Sequence, residues 1–404
     1  MPLAWASAIL ASRPAQSPAD RGPAMARIRD IRIVALEFAV PDDQAYGMAR
    51  GLTARRGGAI IVVETDEGIE GIGESWGPPR ITAEYLRLVK AYFVGTSIFA
   101  QRGVAQTIFA KHYHFGIQNQ LVSLLSGIDV ACHDAMGKVL GLSVADLIGG
   151  RQRERVAAYA SGGYFTATGN HETTLAAQLE PHVDRGFLAF KIKIGRNPAE
   201  DEKRVALARR IIGHDALLTV DSNGNYTFDG VMESIRRIAP YGIHWYEEPL
   251  APQDWKGYAE LKTRATVPIA TGEALYTVFD MKRLIDGRLA DVVQPDLALC
   301  GGLDVARTVG ILCAAEHLRI SPHVWGTGVG LAAAVHFVAS LPNYPHSDNV
   351  PFPTMVEYDM GRNALQNDIF QEPIQFKDGY LEVPKGPGLG VTLNPEVVAR
   401  YTVS

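Results

Sequence analysis

The chain has 404 residues, too many for one simple core, so two domains are expected. It is 47% hydrophobic and 21% charged, and 39 Lys+Arg against 44 Asp+Glu leave a net charge of −5 with no basic block. That balance excludes nucleic acid and an anionic membrane surface as expected partners, and no apolar run approaches the ~20 residues that span a bilayer.

Three scattered cysteines, Cys132, Cys300 and Cys313, form neither a disulfide framework nor a CxxC zinc site and fit a reducing cytoplasm. Residues 1–26 read as a disordered extension. Their apolar stretch lacks the basic n-region of a signal peptide, and Met25 is the expected working start.

Residues 27–150 place strands first and helices second. Ile31–Val40, Ala59–Thr65 and Gly71–Ser75 read as a short antiparallel sheet, the last two joined by the turn Thr65-Asp66-Glu67-Gly68. Ile81–Tyr92 and Leu121–Val139 follow with helical periodicity. In the second, Leu124, Ile128, Cys132 and Met136 mark one face.

From Arg155 the pattern becomes strand, helix, strand, helix. Strands are expected at Val156–Ser161, Ala189–Gly195, Leu217–Asn223, His244–Leu250, Val267–Ala274, Asp291–Ala298, Arg319–Trp325 and Met355–Asp359. Helical patterns such as Glu202–Ile212, Phe228–Ala239, Val278–Gly287, Asp304–Glu316 and Gly328–Ser340 separate them. Such alternation means parallel strands covered by helices, and eight strands make a (β/α)8-type barrel over residues 151–360. The fold class is α/β, with an α+β unit before the barrel. Residues 361–404 show no helical pattern and are expected to return to the first unit.

In Ala189–Gly195 two lysines stand two residues apart. A strand repeats every second residue, so Lys191 and Lys193 share one side while Phe190, Ile192 and Ile194 take the other. Two ammonium groups facing one interior repel each other and lose hydration, so anionic groups must lie opposite them.

The candidates are the polar residues near the ends of the later strands: Asp221, Glu247, Glu273, Asp296, His323 and Glu357. They recur at intervals close to one βα unit, so each occupies an equivalent place on its strand. C-terminal strand ends form the active-site floor of such barrels. A single acid there is more often a helix cap. Three in register, Asp221, Glu247 and Glu273, would repel one another unless a cation joined them, and all-oxygen ligation selects Mg²⁺, with Mn²⁺ as substitute. Glu248 alternates away from Glu247 and is expected outside that shell.

A free lysine is protonated at neutral pH. Lowering it to a pKa of about 7–8 requires roughly 4 kcal/mol. A second cation ~6 Å away at an effective dielectric of ~20 supplies roughly 3 kcal/mol of this. Lys193 is therefore the expected general base, and Lys191 the neighbouring cation that also binds the substrate carboxylate. Asp296 beside His323 would fix the imidazole tautomer and raise its basicity. A lone histidine is more often structural; its place in this series favours an acid/base dyad. Glu357, if protonated, could hydrogen-bond a developing oxyanion.

Together these residues resemble the mandelate racemase subgroup of the enolase superfamily. That subgroup carries Lys-x-Lys on the second barrel strand, metal carboxylates on the third to fifth, an Asp–His dyad on the sixth and seventh, and Glu on the eighth. Val-Asp-Ser-Asn, Tyr-Glu-Glu-Pro, Thr-Gly-Glu and Gln-Pro-Asp agree with it. Pro322-His323-Val324-Trp325-Gly326-Thr327-Gly328 and Gly386-Pro387-Gly388-Leu389-Gly390 are similar to its sugar-lactone cycloisomerases of the galactarolactone and anhydrogalactonate types.

The resemblance implies that 27–150 caps a modified barrel, that Mg²⁺ is the cofactor, and that the chain assembles as a homo-oligomer, often an octamer. It implies substrate choice in capping loops at about Pro41–Arg56 and Trp76–Arg80, with Tyr46, Arg50, Trp76, Asn223 and Trp325 as candidate substrate contacts.

The expected function is a cytoplasmic Mg²⁺-dependent enzyme that removes the proton α to a small-molecule carboxylate, giving a metal-stabilised enediolate. The expected outcome is β-elimination, as an acid-sugar dehydratase or lactone cycloisomerase. The alternatives are a racemase or epimerase working by 1,1-proton transfer, and a non-catalytic barrel used for binding.

Overall fold

The computed structural model describes residues 26–342 and 353–403. Residues 1–25 of the expected extension, Met25 included, lie outside the described residues. In the first unit Ile28–Ala39 pairs antiparallel with Arg55–Thr65, which pairs in turn with Glu70–Ser75. The helices Pro79–Phe93, Gln101–His112 and Gln120–Leu140 follow. Leu124, Ile128, Cys132 and Met136 are buried with Ile61, Val63 and Val89, the face their spacing predicts.

The long helix lies directly on the third strand because that strand reads Gly71-Ile72-Gly73. A Cβ at Gly71 would stand 2.0 Å from the Ala131 carbonyl oxygen, and one at Gly73 2.1 Å from that of Gly127. Only glycine permits this approach. The helix Gln101–His112, which the sequence pattern did not reveal, buries only Gln101 and Ile108, so it carries little apolar signal.

The second unit contains eight parallel strands: Arg155–Gly162, Ala189–Lys193, Leu217–Asp221, Ile243–Glu247, Ile269–Thr271, Val292–Val293, Arg319–Ile320 and Met355–Asp359. The ladder runs unbroken from the eighth strand through the first to the seventh. Between the seventh and eighth no strand pairing forms among the described residues, but Ser321 Oγ donates to the Met355 carbonyl at 2.7 Å across the seam.

Tyr159, Trp245, Ala270 and Met355 fill the interior, while the outward side chains pack against the helices. Alternation in the second strand holds: Phe190 and Ile192 join the outer core, and both lysines turn inward. Several strands end earlier than their apolar runs, so Glu273, Asp296 and His323 stand just beyond the sheet.

Residues 361–404 depart from the helix-free expectation. Ala364–Asn367 and Pro395–Tyr401 are helical. The second starts at Asn394, whose Oδ1 accepts from Glu396 N and Val397 N, with Pro395 at the first helical position. These short helices carry too few residues to show a period. The segment does contact the first unit: Val403 N donates to Ala35 O at 2.9 Å, and Leu389 N to Asp134 Oδ1 at 2.7 Å.

Candidate active site

Strand register assembles the polar floor. Lys193 pairs with Asp221 on the third strand, and Asp221 pairs with Glu247 on the fourth. Asp296 and His323 form a bridge of their own beyond the sixth and seventh strands. Side chains from the second to the eighth strand, seven strands in all, thus come to one end of the barrel from the strands or from just beyond them.

Asp221, Glu247 and Glu273 each offer a carboxylate oxygen, all within 4.8 Å of one another. Asp221 and Glu247 are fully buried. Glu247 is oriented by Trp245 Nε1 at 3.1 Å and Gln294 Nε2 at 2.7 Å, and Asp221 by the backbone N–H of Asn223 at 2.7 Å. Glu273 Oε2 is buried with no hydrogen-bond partner. Three converging hard oxygens, one of them unsatisfied, fit a divalent cation such as Mg²⁺. Burial and the neighbouring Glu247 push the Asp221 carboxyl upward against the pull of Lys193 and Lys191.

The structure revises the reading of the lysines. Lys191 is fully buried, bonded to Glu247 and 2.7 Å from Glu357, and it does not line the cavity. It is held by the floor carboxylates Glu247 and Glu357 and is not among the residues that line the cavity, where the expected contact with a substrate carboxylate would place it. Lys193 does line the cavity, with Nζ 2.5 Å from Asp221 Oδ2. Burial pulls both ammonium groups down, yet the carboxylates hold both above the ordinary lysine value. Lys191 depresses Lys193 as expected, but Asp221 outweighs it. Ligation of Asp221 by a cation would weaken that opposing pull.

His323 Nδ1 donates to Asp296 Oδ2 at 2.7 Å, which leaves Nε2 facing Glu273 and Glu357, each at 3.7 Å. Burial opposes its charged form, but Glu273, Glu357 and Asp296 together raise it to about 10. Glu357 lies among cationic side chains, 2.7 Å from Lys191 and 3.7 Å from His323. Burial pushes its carboxyl up, but Lys191, His323 and Lys193 hold it below the usual range. It accepts from Ser161 Oγ at 2.5 Å and Val324 N at 3.1 Å. Through these contacts it anchors Lys191 and the loop carrying His323.

Glu248 stands outside the three-oxygen group as expected, but strand alternation is not the reason. The fourth strand ends at Glu247, and Glu248 adopts φ 38°, so strand alternation no longer applies. It lines the same cavity, outside the three-oxygen group, with Oε1 buried and unpartnered. Burial and then Glu273, Asp221 and Glu247 raise its carboxyl well above the usual range. The Tyr-Glu-Glu-Pro sequence was visible, but the backbone turn was not.

The cavity has a volume of about 680 Å³, with Lys193, Glu248, Glu273, Asp296 and His323 among its floor residues. Arg50, Trp76, Asn223 and Trp325 also line it, and Asn223 Oδ1 is unpartnered. Tyr46 does not. Its ring packs 5.1 Å from Tyr164, and its hydroxyl donates to Arg362 O at 2.7 Å and accepts from Arg56. Tyr46 anchors the loop rather than presenting itself to a ligand. Tyr164, Gln253 and Tyr276, which carried no distinguishing pattern in the sequence, complete the wall.

Comparison with known proteins agrees with this geometry. Residues 174–397 match the enolase C-terminal domain-like family, and residues 32–149 the mandelate racemase/muconate lactonizing enzyme N-terminal domain. D-galactarolactone cycloisomerase from Agrobacterium fabrum is 33% identical over 86% of this chain and 92% of its own. Arabinonate dehydratase from Saccharolobus solfataricus is 29% identical over 93% of this chain and 99% of its own. The crystal structure of a racemase from Streptomyces coelicolor with bound magnesium superposes with a TM-score of 0.82 at 25% identity, covering 93% of this chain and all of that one. With both halves matched and the polar floor in place, the chain belongs to the mandelate racemase/muconate lactonizing enzyme family of the enolase superfamily.

Proposed function

We propose that this protein is a Mg²⁺-dependent lyase or isomerase that acts on an acid sugar or its lactone, beginning with removal of the proton α to the carboxylate. One observation carries the reading: Lys193 and His323, two proton carriers from different strands, line one cavity together with Glu273 of the acid triad. A cation held by Asp221, Glu247 and Glu273 supplies the positive charge that favours an enediolate.

Lys193 or His323 takes the α-proton as the C–H bond breaks. In β-elimination the C–O bond to the β-carbon then breaks, and the imidazolium of His323 protonates the departing oxygen. Asp296 keeps the Nδ1 proton in place, so Nε2 is the nitrogen that exchanges. The curated relatives bear dehydratase and cycloisomerase names, which favours elimination over simple epimerisation. The same reading takes Mn²⁺ as a substitute ion, the cytoplasm as location and a homo-octamer as the assembly. It divides the chain into a cap (27–150), a barrel (151–360) and a returning segment (361–404).

Incubation with Mg²⁺ and an acid-sugar panel in D₂O tests the proposal. A semicarbazide-reactive keto acid identifies dehydration, and a ring-opened or rearranged lactone identifies cycloisomerisation. Deuterium uptake with inversion and neither product identifies the epimerase alternative. Undiminished exchange in Lys193→Ala rules out Lys193 as a required base. Absence of any exchange across the panel favours the non-catalytic barrel.

A further inference from the structure

A small sheet fixes part of the N-terminal unit over the barrel mouth. Tyr46–Met48 pairs with Gly51–Thr53 to form a hairpin, and Tyr46–Gly47 also pairs with Phe165–Thr166 of the barrel. Ala49 and Arg50 form the hairpin tip. At Gly47 a Cβ would lie 2.5 Å from the Gly51 carbonyl oxygen, so the tight turn depends on glycine there. Tyr46 and Arg56 tie the arm down at Arg362 and Asp359. The tip is therefore held in place above the cavity.

Three arginines lie on this arm, and two have carboxylates of their own. Arg56 pairs with Asp359 at 2.8 Å, and Arg55 pairs with Glu37. Arg50 is exposed, lines the cavity and, among the described residues, meets only Met48 Sδ at 3.9 Å. Among the described lining residues, the acids belong to the floor, and the N-terminal unit contributes only arginines as charged groups. A guanidinium with no carboxylate partner among the described residues, carried by an arm of the N-terminal unit that is tied to the barrel, lines the same cavity as the acid floor and suits a second carboxylate through bidentate hydrogen bonds.

We propose that Arg50 binds the distal carboxylate of a dicarboxylate substrate, so that the preferred acid sugars are open-chain aldaric acids rather than aldonic acids. This rests on the function proposed above and names its substrate class. The cavity volume of about 680 Å³ accommodates a six-carbon diacid.

Matched aldaric and aldonic acids of the same sugar test it, with Mg²⁺ present. Ligand-induced thermal shift and kcat/KM are measured for the parent protein, Arg50→Met and Arg50→Lys. The expected result is stronger binding of the diacid, with that preference reduced roughly tenfold or more in Arg50→Met. The loss falls mainly on KM, and Arg50→Lys retains part of the preference. Equal binding of both classes by the parent, or equal losses for both in Arg50→Met, overturns the proposal.

Deuterium exchange at the α-carbon in the same samples separates the two readings. Arg50-dependent diacid binding without exchange upholds the distal site and removes the proposed chemistry. Exchange without diacid preference does the reverse.

Discussion

Arg56, on the arm of the N-terminal unit, forms a buried ion pair with Asp359 at the end of the eighth barrel strand, Nη2 to Oδ2 2.8 Å. The same guanidinium lies 3.7 Å from the centre of the Trp325 ring. Tyr164 completes the cluster, donating to Asp359 Oδ1 at 2.7 Å and accepting from Trp325 Nε1 at 3.1 Å. Trp325 follows His323 by two residues, so one cluster joins the arm to the loop that carries the proposed acid/base. Arg56→Ala leaves Asp359 buried without its cation. The expected loss is about 3–5 kcal/mol in urea unfolding, with a raised KM as Trp325 loses its support. Arg56→Lys retains charge but not the planar stack, so its loss should be smaller.

Asp296 serves His323 through the Nδ1 hydrogen bond. Asp296→Asn preserves the shape but can present an N–H to the ring and favour the wrong tautomer. Turnover is expected to fall about 100-fold or more while the circular dichroism spectrum is unchanged. A kcat within a few-fold of the parent would show that His323 needs no such partner.

Metal dependence follows from the three converging carboxylates. Chelator is expected to abolish turnover and added Mg²⁺ to restore it. Glu273→Gln is expected to raise the Mg²⁺ concentration needed for half-maximal activity, because Glu273 is the least buried of the three and its Oε2 has no hydrogen-bond partner. Full activity after exhaustive chelation would refute the metal's role.

Glu74 joins the two units from the other side. Its carboxylate accepts from Thr327 N at 2.8 Å, Thr327 Oγ1 at 2.6 Å and Gly330 N at 2.8 Å, capping the helix Gly328–Ser340. Glu74→Ala strands these donors in a buried place, and a loss of about 3 kcal/mol is expected in urea unfolding. A loss below about 1 kcal/mol would mean that water replaces the carboxylate.

The strand-end series was legible because it depends only on period and register, which the local sequence carries. Lys191 and Lys193 turn inward as alternation requires. What was not legible depended on the backbone leaving the strand, which turns Glu248 into the cavity, or on partners distant in sequence. Nothing near Tyr46 announces Arg362, and nothing near Glu74 announces Thr327. The charge of Glu357 was not legible for a related reason: Lys191, His323 and Lys193, on other strands, pull its carboxyl below the usual range.

His336 provides a separate prediction about pH. It is fully buried in the helix Gly328–Ser340, where Nδ1 accepts from Ala145 N at 3.3 Å and Nε2 donates to Leu389 O at 3.0 Å. Those roles require the neutral imidazole, and burial lowers its pKa from 6.5 to about 4. An unfolded chain binds the proton at about 6.5, so acid favours unfolding. The stability from this histidine is fully present above about pH 6.5 and is lost as the pH falls through about 4. The shift corresponds to about 3 kcal/mol. Carboxylates titrate in part of the same range, so the comparison must be between parent and His336→Gln. Their difference in unfolding free energy should change by about 3 kcal/mol between pH 7 and pH 4, the parent losing more. Parallel pH profiles would show that His336 keeps an ordinary pKa in the folded protein.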